Sequence, residues 1–366
     1  MNRRGFLQIA TATLVFAFFA LFVTERAGAQ RLPARLTDQE FWKLLSESSE
    51  PGGPFHSENL VSNEIRFQSI IPSLIRATAP GRAYVGVGSE QNFTYIAATR
   101  PAIAFIVDIR RGNLDLHLIY KALFEMSSNR VEFVSRLFSR EKPSTLTPNS
   151  TATEIFAAYK RATPGRTLYN QNLAEIKAAL TTKHGFQLSA GDLQAIDFVY
   201  NSWFRYGPDI RYELNGGGSP GGVPTYADLM MATDLEGQNR SYLGSEEAFR
   251  FVKDMHARNM IIPIVGNFGG PKAIRAVATY LKQKEAPVAV FYTSNVEQYL
   301  RQDGIWTNFC SSAATLPIDT KSVFLRTLRA GFAGQAQVVG ANGNFNLEVA
   351  PMTRDLASCG NLLRLP

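Results

Sequence analysis

Short apolar runs alternate along much of the chain with stretches whose apolar positions recur every three or four residues. The runs at 83–87, 102–108, 261–265, 288–292 and 323–328 predict buried strands. The intervening spacing predicts helices at 90–99, about 113–126, 245–257 and 271–283. Strand and helix in alternation imply an α/β fold with a doubly wound, mostly parallel sheet. A further strand is expected at Tyr226–Ala232, with Asp234 at its end, and a final hairpin around Ala341-Asn342-Gly343, where Asn-Gly favours a tight turn.

The alternation breaks between residues 129 and 215. Helical spacing at 130–140, 152–162, 173–183 and 189–204 predicts a helical insertion lying over the strand ends, where it would shape a pocket. Ahead of the sheet, residues 30–54 read as a surface lead-in with a short helix at Asp38–Ser46, and Asn63–Ala77 as a helix broken at Pro72. One α/β domain is therefore expected over 55–366. The glycine-rich loop Asn215–Gly222 lacks the Gly-Lys-Ser/Thr ending and the preceding strand of a phosphate loop.

The candidate chemistry begins at Ala83-Tyr-Val-Gly-Val-Gly-Ser-Glu-Gln-Asn-Phe93, followed by the run Ala102–Val107 and then Asp108. A strand enters a glycine turn, a helix leaves it, and the next strand ends in a carboxylate. Glycines let a backbone approach a ligand, a helix start offers free N–H groups, and an acid at the second strand end accepts ribose hydroxyls. Glu90 stands where a dinucleotide site has its third glycine, which argues against NAD or FAD.

On these residues the stretch resembles the first motif of the class I S-adenosylmethionine-dependent methyltransferases. The resemblance implies a Rossmann-like, methyltransferase-like fold, S-adenosylmethionine as cofactor, Gly86 and Gly88 lining it, Asp108 on the ribose and Arg110 beside it. The chain departs from that motif at Tyr84, where those enzymes carry an acid, and at Glu90. The block Asn63–Leu137 also resembles an uncharacterised bacterial family with a methyltransferase-like fold.

Four strand ends are expected to bring polar groups to one edge: Asp108 with Arg110 and Arg111, Asp234 with Gln238, Asn239 and Arg240, Asn267, and Tyr292 with Ser294 and Asn295. Strand ends are also polar simply because they face water. By the same resemblance Asp234 would end the fourth strand and orient the substrate, making it the candidate catalytic group. The segment Ser57–Glu64 offers Glu58, Asn59 and Glu64 to a pocket, while Ser62 or Asn63 equally suits a helix cap. His56, His117, His184 and His256 have no metal-ligand spacing, and no Gly-x-Ser-x-Gly elbow occurs.

The N-terminus joins Arg3-Arg4 to an apolar run from Ile9 to Val23 and to Ala27-Gly28-Ala29, the pattern of a twin-arginine export signal covering 1–29. An uncleaved membrane anchor is the alternative reading. Removing that segment takes away three arginines and one glutamate, so the net charge falls from +7 to +5. So mild an excess, without a basic cluster, suits solubility and gives no nucleic-acid footprint. In a periplasmic or extracellular setting Cys310 and Cys359 either form a bridge or stay two buried thiols. The expected partner is a small molecule and no later segment would span a membrane. Beside methyl transfer stand a non-catalytic ligand-binding protein on the same fold and an envelope-acting hydrolase or transferase using the same cleft.

Overall fold

The computed structural model describes residues 31–213, 222–329, 338–340 and 345–361. The expected export signal, most of the glycine loop and the tip of the expected hairpin lie outside the described residues.

Among the described residues seven strands form one sheet: β1 (Ala83–Gly86), β2 (Ile103–Asp108), β3 (Ile261–Val265), β4 (Val288–Ser294), β5 (Val323–Arg329), β6 (Val338–Gly340) and β7 (Phe345–Pro351). Their order is β3-β2-β1-β4-β5-β7-β6. All pairings from β3 across to β5 are parallel, and β7 runs antiparallel to both β5 and β6. Every residue of β1, β2 and β3 is buried, as a parallel sheet covered on both faces requires. Pro263 is tolerated because β3 is the sheet edge, where one row of backbone groups needs no partner strand. From β1 the chain builds outward through β2 to β3 and then returns to place β4 on the other side of β1. The strand order therefore reverses between β1 and β4, and a crevice opens beyond the carboxyl ends there.

The expected helices form at Gln91–Thr99, Arg111–Met126, Glu246–Ala257 and Ala273–Gln283. The first is buried almost all round. Phe93 on it makes edge-on contacts with Tyr120 and Phe124 of the helix Arg111–Met126 and with Tyr242 at 5.1–5.4 Å, tying two other segments to it.

The insertion is helical as expected, at Arg130–Phe138, Ala152–Arg161, Arg166–Ala178 and Ala190–Tyr206. The expected strand at Tyr226–Ala232 is instead a helix, Tyr226–Met231. Thr225 and Asp228 form a reciprocal capping box that satisfies the first free N–H groups, and this local signal outweighs the apolar run. Pro72 starts the helix Ile71–Ala77 rather than breaking a longer one.

The lead-in, expected at the surface, is built into the sheet edge. Its helix Asp38–Ser48 buries Phe41 and Leu45 and packs on β3. Beyond it, Glu50 accepts hydrogen bonds from the backbone of Asn267, Lys272 and Ala273. Among the described residues no helix is long and apolar enough to cross a membrane. Cys310, on the helix Trp306–Ala313, is bridged to Cys359 on the C-terminal helix Met352–Asn361.

Candidate functional site

A cavity of about 620 Å³ opens beyond the carboxyl ends of four adjacent strands. It is lined by Val87, Gly88 and Ser89 after β1, by Val107 to Arg110 at the end of β2, by Gly266 to Phe268 after β3, and by Tyr292, Ser294, Asn295 and Val296 at the end of β4. Its volume lies in the range of small-molecule sites.

The turn after β1 is held rigidly from behind. Gly88 has φ +82°, a left-handed conformation in which a side chain would be strained. Asn92 donates to the carbonyls of Val87 and Ser89 at 2.9 and 2.7 Å, and its own oxygen accepts from the Tyr84 hydroxyl at 2.8 Å. His117 Nε2 lies 2.9 Å from the Gly88 carbonyl. Burial pushes His117 down to about 4, so at neutral pH its neutral ring donates there.

Gly86, expected on the ligand, does not line the cavity. A methyl there would overlap the Asn92 side-chain oxygen and come within 2.7 Å of the Tyr84 ring, so this glycine makes room for the residue that holds the turn. Gly86→Ala is expected to cost about 1–3 kcal/mol through this overpacking. Unchanged urea unfolding in that variant would remove the role given to Asn92. Glu90 is likewise turned away: it is fully buried outside the cavity, with Oε1 accepting from the Ser62 backbone at 3.2 Å.

Asp108 ends β2 at the cavity wall, 5% exposed. Its Oδ1 accepts from the Arg110 backbone at 2.9 Å and lies 3.2 Å from Arg110 Nε. Arg110 also reaches the Glu58 backbone carbonyl. Glu58 thus belongs to the site through its main chain, and its side chain does not line the cavity. Arg111 points elsewhere, forming a two-point pair with Asp192.

The segment before the sheet lines the cavity and caps no helix. Asn59, Ser62, Asn63 and Glu64 all face it, and the helical turn that follows has no side-chain cap. Glu64 accepts from Gln91 Nε2 at 2.7 Å, Ser294 Oγ at 2.7 Å, Thr327 Oγ1 at 2.8 Å and the Tyr292 hydroxyl at 3.2 Å. Four donors occupy about all the lone-pair directions of a carboxylate. Glu64 therefore ties the segment to β4 and β5, and Tyr292 and Ser294 spend their hydroxyl protons on it.

Asp234 does not reach the cavity. The strand expected to carry it is a helix, and it closes a surface turn instead. Its Oδ1 accepts from the backbone of Glu236 and Gln238 at 2.8 and 2.9 Å, and its Oδ2 from Arg240 Nε at 2.7 Å. Asn239 also stays outside, bonded to the Met230 carbonyl and to Ser241. The fourth strand of the sheet is β4, so the end of that strand carries Tyr292, Ser294 and Asn295. Asn267 lines the cavity as expected.

Spacing alone did not single out Phe55, His56, Tyr212, Phe268 and Tyr299, which also line it. Phe55 and His56 follow Pro51-Gly-Gly-Pro54, a turn sequence ahead of an aromatic pair. Tyr212 is the one described residue of the insertion among the lining residues, so the insertion packs mainly on the helix Arg111–Met126 rather than over the strand ends. No group of three or more His, Cys, Asp or Glu is placed to hold a metal ion among the described residues.

Fold and cavity together define an α/β protein with a small-molecule-sized site at the reversal point of a mostly parallel sheet. The chain belongs to the family described as Domain of unknown function (DUF7790), which matches residues 59–357. No curated protein matches it.

Proposed function

We propose that the cavity binds S-adenosylmethionine or a closely related nucleoside, and that the protein is a methyltransferase-like protein acting on a small acceptor. The observation that carries this reading is the pairing of Gly88, at φ +82° after β1, with the Asp108 carboxylate that ends the neighbouring β2 on the same cavity. The mostly parallel strand order β3-β2-β1-β4-β5-β7-β6, with β7 reversed among the described strands, supports this reading. Arg110 takes both lone pairs of Asp108 Oδ1 and contacts Oδ2 at 3.4 Å, so Oδ2 keeps a lone pair for one ribose hydroxyl. With the ribose there, Asn267 and Phe268 beside β3 would be the residues to hold the base, and those at the end of β4 would stand beside the acceptor. When bound, the cofactor supplies an electrophilic methyl group. The chain's own residues fix the nucleoside and keep the acceptor beside it.

A non-catalytic binding protein on the same fold is the second reading. What favours it is that the Glu64 carboxylate beside the end of β4 is already taken up by the Tyr292 and Ser294 hydroxyls rather than left to accept a proton from an acceptor molecule. Calorimetry separates the two. Wild-type protein is expected to bind S-adenosylhomocysteine. Asp108→Asn keeps the turn and loses the charge, weakening binding by about 1.5–3 kcal/mol, on the order of ten- to a hundredfold. Wild-type protein that stays unsaturated at millimolar ligand ends the cofactor assignment, and binding without transfer to any acceptor favours the second reading.

The protein is further proposed to be exported through the twin-arginine route, on the strength of Arg3-Arg4 and the Cys310–Cys359 bridge. Mature protein should begin at Gln30, and changing both arginines to lysine should block export. Normal export of that double variant removes the route.

A further inference from the structure

The outer part of the cavity has a different character from its floor. Phe55 and Tyr299 are half-buried and His56 is exposed, whereas Asp108 and Tyr292 below them are buried. The rings of Phe55 and His56 lie 4.1 Å apart, and Tyr299 meets them at 5.5 and 5.7 Å. Tyr212 places its hydroxyl 3.1 Å from His56 Nε2. These side chains come from the pre-sheet segment, the end of the insertion and the helix Val296–Gln302 that leaves β4. Three separate parts of the chain thus converge to build an aromatic wall that faces the cavity on the β4 side.

We propose that this wall is the acceptor subsite, and that it takes a planar aromatic molecule bearing a hydroxyl group. The assignment rests on the nucleoside reading only in calling the guest an acceptor. Rings held partly open to a cavity offer their faces and edges to a flat guest, a gain beyond simple apolar burial. His56 supplies the polar selectivity. Tyr212 Oη and His56 Nε2 share one hydrogen bond in which either can donate; in the tautomer with Nε2–H donating, Nδ1 takes the hydrogen of the guest hydroxyl. Tyr212 acts as a positioning residue that holds the ring. A hydroxyl bonded there is also polarised toward the nucleophile that methyl transfer needs.

The test uses the mature protein with 2-naphthol, its methyl ether 2-methoxynaphthalene, and phenyltrimethylammonium, followed by calorimetry. Wild-type protein is expected to bind 2-naphthol about tenfold more tightly than the ether, since only the former can donate. His56→Leu should erase that preference. Tyr299→Ala should weaken both naphthalenes about tenfold while changing S-adenosylhomocysteine affinity less than about twofold. The inference is overturned if 2-naphthol fails to bind wild-type protein, if its preference survives in His56→Leu, or if phenyltrimethylammonium binds more tightly than 2-naphthol. Naphthol binding without nucleoside binding sinks the cofactor reading and leaves the aromatic subsite. Nucleoside binding without naphthol binding does the reverse.

Discussion

Replacing Cys310 and Cys359 together by serine is expected to lower the free energy of unfolding by about 4 kcal/mol, the chain-entropy cost of opening a loop of this length. The two cysteines stand 49 residues apart, and the loop between them contains β5, β6 and β7. The bridge therefore closes the outer side of the sheet, where β7 is the reversed strand and the last helix packs on β5 and β7. Urea unfolding of the oxidised wild type, the reduced wild type and the double variant measures the effect. Equal midpoints for all three would show that the bridge contributes nothing to the fold. Reactive thiols at both positions in protein recovered without reductant would show that the bridge does not form.

Glu90→Gln is expected to flatten the pH dependence of stability. Burial, only partly countered by hydrogen bonds from Ser89 and the Ser62 backbone, raises the Glu90 carboxyl from the ordinary range to about 7. Its folded value thus lies above its unfolded one. The stability it contributes is complete below about pH 4.5 and is lost as pH rises through 7, because the folded state then holds a buried proton that the unfolded chain releases. From about pH 5 to about pH 8 this amounts to roughly 2–3 kcal/mol for Glu90 alone. Asp115, raised by burial to about 8, acts in the same direction. His117, lowered by burial to about 4, acts in the opposite one, costing stability as pH falls below 6.5. Comparing wild type with Glu90→Gln across this range cancels the other groups. Parallel stability curves would mean that Glu90 is ionised in the folded protein.

What the sequence made legible was whatever is written locally. The apolar runs that became β1 to β5 and the glycine turn ending in Gly88 depend on neighbours within a few residues. Asp108 followed from its place at a strand end. Residues whose roles depend on distant partners were misread. Gly86 looked like a ligand contact because its true neighbour, the Asn92 side chain, lies a turn of helix away. Ser62 looked like a helix cap, but its hydroxyl bonds Gln91. Glu64 lines the cavity as expected, but that its carboxylate also spans to Tyr292, Ser294 and Thr327 is something spacing cannot reveal. Asp234 was misplaced for a different reason. The apolar run before it was read by hydrophobicity, while the Thr225/Asp228 pair that makes it a helix was passed over. His56 and Tyr299 became neighbours only through the fold.

The central pairing of the sheet also sets the order of events in assembly. Ala83 is aligned with Val288 and Val85 with Phe291, so one side of β1 waits for a strand made far later in the chain. Until β4 emerges from the ribosome, the middle of the sheet exposes an open hydrogen-bonding edge and an apolar surface. Contacts so distant in sequence make folding slow and its intermediates prone to aggregate. The turn at Gly88 is local in sequence, yet the cavity it lines also needs residues as far along the chain as Asp303. The edge of β1 left open until β4 is made is where a growing chain is most exposed to wrong pairing.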